Sequence, residues 1–338
     1  MRAHLRPLLL PVLVLSTGCL ETMGTISPPS EPADLSALTA TVEALQQSNV
    51  ELLSRIEALE AENASLTGRL DVVEPEVVSG LASLVTVTTD AQGHPTIVFS
   101  GVNVHVNNGD GTTDTVNGLG NLVVGYDEPR IDGVPVCSHG QYRDQQSCEA
   151  NGLVWTDNHK SGSHNLIVGS EHSYSQFGST LLGQENTVNN AFATITGGRL
   201  NLALGTNSSV TGGSGNLASG FFATVTAGFG NEANGLLAAI HGGTDNVAVG
   251  TYSTITGGDT NETSGQSSSV SGGENNTVSG RGGSISGGER NVVLGRSGTV
   301  TGGVYNEAHG ELSTISGGYE ATTTDFFDGR AGSLFEEE

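Results

Sequence analysis

The feature that most constrains the fold of this chain is a 15-residue repeat that runs without an insertion from Asn186. Asparagine recurs at the first position of nine consecutive units, and glycine stands four residues later in eight of them. The asparagines are Asn186, Asn201, Asn216, Asn231, Asn246, Asn261, Asn276, Asn291 and Asn306. A register held over so many units is typical of repeat proteins, in which each unit packs only against its neighbours.

Alternation of residue types within each unit predicts two short strands. One is centred on a small residue such as Ala203 and the other on a branched residue such as Val210, and the period of two directs both side chains inwards. Glycines supply the positive φ angles that tight corners need. Because one small and one branched residue cannot form a core alone, the sequence predicts an all-β parallel β-solenoid of stacked 15-residue coils. The stacked asparagines are expected to bond side chain to backbone along the column rather than to bind a ligand.

The repeat units resemble the head repeats of trimeric autotransporter adhesins, which carry N-x-[VA]-x-G and S-x-[VA]-x-G strands. Asn246-Val-Ala-Val-Gly250 and Ser253-Thr-Ile-Thr-Gly257 carry the likeness, which extends over residues 165–320. The resemblance implies a left-handed β-roll that forms a homotrimer and acts in adhesion. Two features depart from that family: the period is 15 rather than 14, and residues 321–338 are interpreted as a cap and acidic tail rather than a membrane β-barrel anchor.

A different periodicity, of 3.5 residues, occupies residues 35–74 and predicts an N-terminal coiled-coil stalk. Ten of the twelve a and d positions are apolar. The a positions are Leu35, Val42, Asn49, Ile56, Asn63 and Leu70, and the d positions are Leu38, Leu45, Leu52, Leu59, Leu66 and Val73. Pro75 is predicted to end the helix. Asn49 and Asn63 are expected to fix the register and to favour a dimer, whereas the head resemblance favours a trimer, which is the state we expect.

Residues 1–18 have the pattern of a signal peptide, with a basic start and an apolar run too short to span a bilayer. Leu15-Ser-Thr-Gly-Cys19 resembles the lipobox of bacterial lipoproteins, although Ser16 stands where that family usually has leucine. The resemblance implies acylation of Cys19, a tether over residues 19–34, and a lipid-anchored protein at the bacterial outer membrane or cell surface. A plain secretory signal is the alternative.

Residues 80–125 are predicted to form a β-rich adaptor and the first solenoid unit. Residues 84–88 and 96–99 alternate as strands around a turn, and residues 102–106 continue the pattern. Asn121-Leu-Val-Val-Gly125 then matches Asn165-Leu-Ile-Val-Gly169, so the two segments are expected to be neighbouring coils. Asp110 and Asp114 supply too few carboxylates for a calcium site.

The segment between these two units, residues 126–164, is a non-repetitive insertion that holds the only tryptophan and the only lysine. In an exported protein, Cys137 and Cys148 are expected to form a disulfide that closes a loop bulging from the solenoid. A zinc site formed by Cys137, Cys148, His159 and His164 is the alternative, but the cysteines are too far apart for a C-x-x-C pair.

Charge and surface chemistry limit the function. A net charge of −24 argues against a nucleic-acid partner. The outward repeat positions lack the clustered Asp, Arg, Lys or Tyr that polysaccharide cleavage needs, so we expect no catalytic residue, cofactor or metal. Serine and threonine columns flank the inward Val/Ile and resemble those of ice-binding solenoids, but Ala239 and His241 interrupt them. Adhesion to an unknown surface ligand, or a surface-structural role, is the function favoured, and the alternative is a scaffold that displays the 126–164 loop.

Overall fold

A computed structural model describes residues 32–82 and 84–331, which fall into two units that divide between Asn103 and Val104. The signal peptide, Cys19 and nearly all of the tether lie outside the described residues. Within the described part of the chain, no helix is long and apolar enough to cross a membrane.

The residues described in the first unit form one long helix and one hairpin: α1 (Pro32–Ala82), β1 (Val85–Thr89) and β2 (Pro95–Phe99). The helix continues past Pro75, so the prediction that this proline ends it is wrong. A proline removes a single backbone hydrogen bond, and the hydrogen bonds of the turns on either side are enough to continue the helix. The hairpin is confirmed, but residues 102–106 form no strand, and Val104 in that stretch is 61% exposed without a pairing partner.

Among the described residues, none covers the apolar stripe of α1. Its eight described apolar a and d side chains are 46–67% exposed. These residues are Leu35, Leu38, Val42, Leu45, Leu52, Ile56, Leu59 and Leu66. The side chains of Leu70 and Val73 are outside the described set. The helix is therefore established, whereas its assembly into a coiled coil stays a prediction.

The described part of the second unit, residues 104–331, contains one short helix, α2 (Gln145–Ala150), and 26 strands. The strands are β3 Leu122–Val124, β4 Val136–Cys137, β5 Trp155–Thr156, β6 Leu166–Ser170, β7 Ser173–Tyr174, β8 Thr180–Gln184, β9 Thr187–Val188, β10 Thr194–Ile195, β11 Leu202–Ala203, β12 Ser209–Val210, β13 Leu217–Ala218, β14 Thr224–Val225, β15 Glu232–Ala233, β16 Ala239–Ile240, β17 Val247–Ala248, β18 Thr254–Ile255, β19 Glu262–Thr263, β20 Ser269–Val270, β21 Thr277–Val278, β22 Ser284–Ile285, β23 Val292–Val293, β24 Thr299–Val300, β25 Glu307–Ala308, β26 Thr314–Ile315, β27 Thr322–Thr323 and β28 Gly329–Arg330.

All of these strands except β4 and β5 form a parallel β-solenoid, as the repeat predicts. One sheet has 13 strands and contains the Val/Ile strands, and the other has 11 strands and contains the small-residue strands. Each strand pairs with its equivalent 15 residues away, as in Ile195 opposite Val210 and Ala203 opposite Ala218. The inward Val/Ile and small residues of the repeat are at most 1% exposed. A third inward position, two residues before Val/Ile, is also buried and was not predicted; Ser208 is one example.

The solenoid departs from the prediction in coil length at its start and in extent at its end. Towards its start, Leu166 pairs with Thr180 and Thr180 with Thr194, so the first coils are 14 residues long. The match between residues 121–125 and 165–169 is confirmed, because Leu122 pairs with Leu166 across the insertion. Towards its end, β27 and β28 form another coil beyond residue 320, with Thr323 buried at the small-residue position, so residues 321–331 continue the solenoid.

The nine repeat asparagines form a buried hydrogen-bonded column, here called the asparagine ladder. Asn246 is fully buried, and its Nδ2 donates to Oδ1 of Asn231 at 3.0 Å. The same Nδ2 donates to the carbonyls of Gly242 at 3.2 Å and Gly258 at 3.0 Å. Its Oδ1 accepts from the backbone N–H of Asn261 at 3.0 Å. The ladder thus satisfies buried backbone groups in three coils, which confirms the structural role predicted for it.

The two glycines of each Gly-Gly pair have different roles. Gly243 has a φ of +92°, and a Cβ there would collide with the carbonyl oxygen of Gly258 in the next coil. Gly242 has open space around its Cβ direction. Ala227 occupies the position equivalent to Gly242 in another coil, as this difference allows. Only the second glycine is therefore required by the stacking.

Candidate functional site

The insertion is fixed against the solenoid, so the prediction of a bulging loop is wrong. Cys137 and Cys148 form the predicted disulfide, and β4 pairs with β5 in a small antiparallel sheet. Asp144 caps α2 by accepting the N–H of Ser147 at 2.8 Å. The backbone N–H of Gly140 donates to the carbonyl of Asn189, a residue on the outer face of the 11-stranded sheet. The disulfide closes the loop, and these contacts hold the loop against the solenoid.

Arg130 is the principal anchor of the insertion. Its guanidinium is almost completely buried and donates to the carbonyls of Glu171 at 3.0 Å and Asn186 at 3.1 Å. It also donates to Oγ1 of Thr187 at 2.9 Å. A buried guanidinium that makes three hydrogen bonds to fixed acceptors holds the two segments together, because removing it would take one donor away from each of those acceptors.

A buried polar cluster connects the insertion to the start of the asparagine ladder. Lys160 Nζ lies 2.6 Å from Asp127 Oδ2, and Asp127 Oδ1 accepts the backbone N–H of His172 at 2.9 Å. His172 is fully buried, and its Nδ1 accepts the N–H of Asn186 at 3.3 Å, as a ladder asparagine does in later coils. Its Nε2 therefore carries the proton and donates to the carbonyl of Val168 at 3.1 Å.

Burial sets the protonation of this cluster. It lowers the pKa of His172 and of His159, which favours the neutral form of both imidazoles. Burial also lowers the pKa of Lys160, and the hydrogen bond that Lys160 donates to Asp127 opposes the change. It raises the pKa of Tyr174, whose ring lies under Lys160, to about 12. These groups are mutually satisfied, so the cluster holds the insertion in place rather than offering a free reactive group.

Beside this cluster, a cleft of about 240 Å³ separates the insertion from the outer face of the 11-stranded sheet. On the insertion side it is lined by Val134, Pro135, Val136, Cys137, Gly140, Tyr142, Arg143 and Trp155, and on the solenoid side by Asn189, Leu202, Leu204 and Leu217. Most of these side chains are apolar. Arg143 stands at the cleft and donates to the carbonyl of Ser219 at 2.6 Å. A second cleft of about 230 Å³ shares Val134 and Leu202 with the first.

The zinc hypothesis is wrong, because both cysteines are in the disulfide. His159 Nε2 is bonded to the carbonyl of Val136 at 3.0 Å, and His164 Nε2 accepts the N–H of Asn108 at 3.1 Å. Asp110 accepts from Asn117 at 2.9 Å. Among the described residues, no group of three or more His, Cys, Asp or Glu side chains is arranged to hold a metal ion.

The serine and threonine columns lie on the outer face of the 13-stranded sheet. Ser209 pairs with Thr224 there, and Ala239 follows in the next coil and interrupts the hydroxyls. Few of these hydroxyls bond to each other; Ser284 Oγ and Thr299 Oγ1 are 3.4 Å apart. The backbone spacing of this face is regular, but its side chains include serine, threonine and alanine.

The sequence predicted the disulfide but not the contacts that hold the insertion against the solenoid. The missed residues are Arg130, Arg143 and Asn189. A signal was present at the outward positions beside the small residue, where Leu202 and Leu204 stand while a later coil has Glu232 and Asn234. Apolar residues on an outer face indicate that something covers them.

Compared with protein-family models and with curated proteins, the sequence gives no match. What the chain does is therefore inferred from its own residues and geometry.

Proposed function

We propose that this chain is an exported, lipid-anchored surface protein that acts in adhesion or surface structure and carries out no catalysis. In order along the chain, the proposed parts are a lipid on Cys19, a tether, an oligomeric coiled-coil stalk and a β-solenoid head. The homotrimer is the assembly we propose, with a dimer as the alternative.

The exposed apolar stripe of α1 is the observation that carries this proposal. Eight described a and d side chains at 46–67% exposure would leave a continuous apolar seam in water if the chain stayed a monomer. Supercoiling with further copies buries such a seam. A stalk formed in this way would present several identical heads, and several weak contacts then combine into strong attachment.

The stalk is tested by the mass of residues 20–338 in solution. Leu52 and Leu59 occupy d positions, so the double variant Leu52→Asp/Leu59→Asp is expected to lower the mass to that of a monomer. The matched control is Ser54→Asp/Ala61→Asp, which adds the same charge at outward f positions and should keep the oligomer. Light scattering of wild type decides between trimer and dimer. A monomeric wild type would contradict the proposal.

The head is expected to supply recognition through a rigidly placed insertion. The disulfide and Arg130 hold it, while Tyr126 and Ile131 are 94% and 87% exposed. Large apolar side chains held at the surface of a rigid element are typical of contact residues. The competing scaffold role differs in needing no ligand at the head.

Adhesion is tested with beads coated with residues 20–338 on arrays of surface glycans and extracellular proteins. If the insertion recognises the ligand, Tyr126→Ser/Ile131→Ser should reduce bead retention at least tenfold. The control Val249→Ser/Leu294→Ser, on the exposed solenoid face, should not. The reverse pattern would assign recognition to the solenoid, and no retention on any surface would favour the scaffold. Loss of lipid labelling in Cys19→Ser tests the anchor separately.

A further inference from the structure

The cleft between the insertion and the solenoid has the composition of a small-molecule site. Leucine side chains of the solenoid form one wall, and Val134, Tyr142 and Trp155 form part of the other. Ligand pockets in proteins are largely apolar with a few polar groups that orient the ligand. An apolar cavity of about 150 Å³ is enough to bind benzene, so a cleft of about 240 Å³ accommodates a substituted aromatic ring.

A second and independent observation indicates a ligand with a hydrogen-bond donor. Asn189 lines the cleft, is only 2% exposed, and its Oδ1 has no hydrogen-bond partner. Its Nδ2 donates to the carbonyl of Cys137 at 3.3 Å, so the orientation of the amide leaves the oxygen as the free group. A buried acceptor without a donor is costly, and donation from a ligand would remove that cost.

Apolar residues recur at these outward positions in later coils, but only those beside the insertion line the cleft. Leu202 and Leu217 line the cleft, whereas the equivalent residue of the next coil, beyond the cleft, is Glu232. Leu204 also lines the cleft, and its equivalent in the next-but-one coil is Asn234. Leu294 is the same repeat position as Leu204 six coils later, but it faces solvent at 49% exposure. The chain therefore contains its own matched control for a residue of the cleft wall.

From these observations we propose that the cleft binds a small aromatic ligand bearing an O–H or N–H donor, of the phenol type. The ring packs between Trp155 and the leucine wall, and the donor bonds to Asn189 Oδ1. Arg143 at the cleft retains free guanidinium donors beyond the one given to Ser219, so an acidic substituent on the ring is accommodated there. This site stands independently of the stalk and of adhesion.

The proposal is tested with two probes, 4-fluorophenol and 4-fluoroanisole, which differ only in whether the oxygen carries a proton. Fluorine NMR titration of residues 20–338 measures both affinities. We expect saturable binding of 4-fluorophenol that is about five- to tenfold tighter than that of 4-fluoroanisole, the ratio given by one hydrogen bond to a buried acceptor. Equal affinities, or no saturable binding of either probe, would overturn the proposal.

Location is tested by variants of the matched leucines. Leu204→Phe fills the cleft and should weaken 4-fluorophenol binding at least tenfold, whereas Leu294→Phe should leave it unchanged. Equal effects of the two variants would refute the assignment. If Leu204→Phe fails to fold, the emission of Trp155, the only tryptophan of the chain, gives the location without a variant. That emission must change with the same midpoint as the fluorine signal, and constant emission at saturation would place the probe elsewhere.

Discussion

Breaking one rung of the asparagine ladder should cost much more than removing an asparagine from the surface. In Asn246→Ala, the backbone N–H of Asn261 loses its acceptor and the carbonyl of Gly242 loses its donor. The carbonyl of Gly258 keeps the N–H of Thr244. One buried and one partly buried backbone group would then lack partners, at about 1–3 kcal/mol for each fully buried group, so we expect a loss of roughly 3 kcal/mol of unfolding free energy.

The assay is thermal unfolding of residues 20–338, followed by circular dichroism and calorimetry. For a unit of this size, about 1 kcal/mol corresponds to roughly 2–4 °C, so Asn246→Ala should lower Tm by about 6–12 °C. The control is Asn234→Ala, whose side chain lies on the outer face and bonds only to the side chains of Ser219 and Glu232. Water replaces those partners, and the expected change is under about 1 kcal/mol.

Position along the column gives a further check. Asn306 lies near the end of the described solenoid, and its Oδ1 accepts the N–H of Ala321 in the last coils. Terminal coils contact one neighbour and open locally, so Asn306→Ala should shift the main transition less than Asn246→Ala. If Asn246→Ala lowers Tm no more than Asn234→Ala, the ladder is not a source of stability and the reasoning fails.

Three further predictions concern the stacking, the buried cluster and the disulfide. Gly243→Ala should destabilise by on the order of 3 kcal/mol because its Cβ meets backbone of the next coil at positive φ, whereas Gly242→Ala should be neutral or stabilise by about 0.5 kcal/mol in the same melting assay. Because burial lowers the pKa of His172, the unfolded chain binds more protons than the folded chain below about pH 6.5, and Tm should fall as the pH drops through that range. His172→Asn should show a smaller fall in Tm. An equal fall in the variant and the wild type would contradict the role of His172. Reducing the Cys137–Cys148 bond should destabilise the insertion by about 2–3 kcal/mol, seen as earlier loss of tryptophan fluorescence while the solenoid signal persists.

The solenoid was predictable from sequence because its inward positions repeat with fixed spacing. Residues such as Ile255 and Ala248 are buried in every coil for the same reason, namely that alternation allows only one face to point inwards. The corners were less predictable. Phe222, Leu237 and Tyr252 have φ angles of 57°, 56° and 61°, a region that bulky residues normally avoid. Closure of the coil imposes that angle, and local preference does not reveal it.

The site was predictable only in part. The disulfide follows from two cysteines in one non-repetitive segment, whereas the docking of Arg130 and Arg143 depends on contacts with residues far along the chain. Such contacts leave no periodic trace. The unpartnered oxygen of Asn189 is likewise a product of the fold, since an asparagine beside a repeat unit has no distinguishing mark in the sequence.

The regular one-coil register has a mechanical consequence. Because each coil beyond the docked insertion is bonded only to its neighbours, tension applied to the far end of the column would peel those coils off one at a time. Each event would exchange a rise of about 4.8 Å along the column for roughly 50 Å of extended chain. Under load, the column would therefore lengthen in steps of equal size, one for each 15-residue coil. The hydrogen bonds between two adjacent coils would set the rupture force of each step.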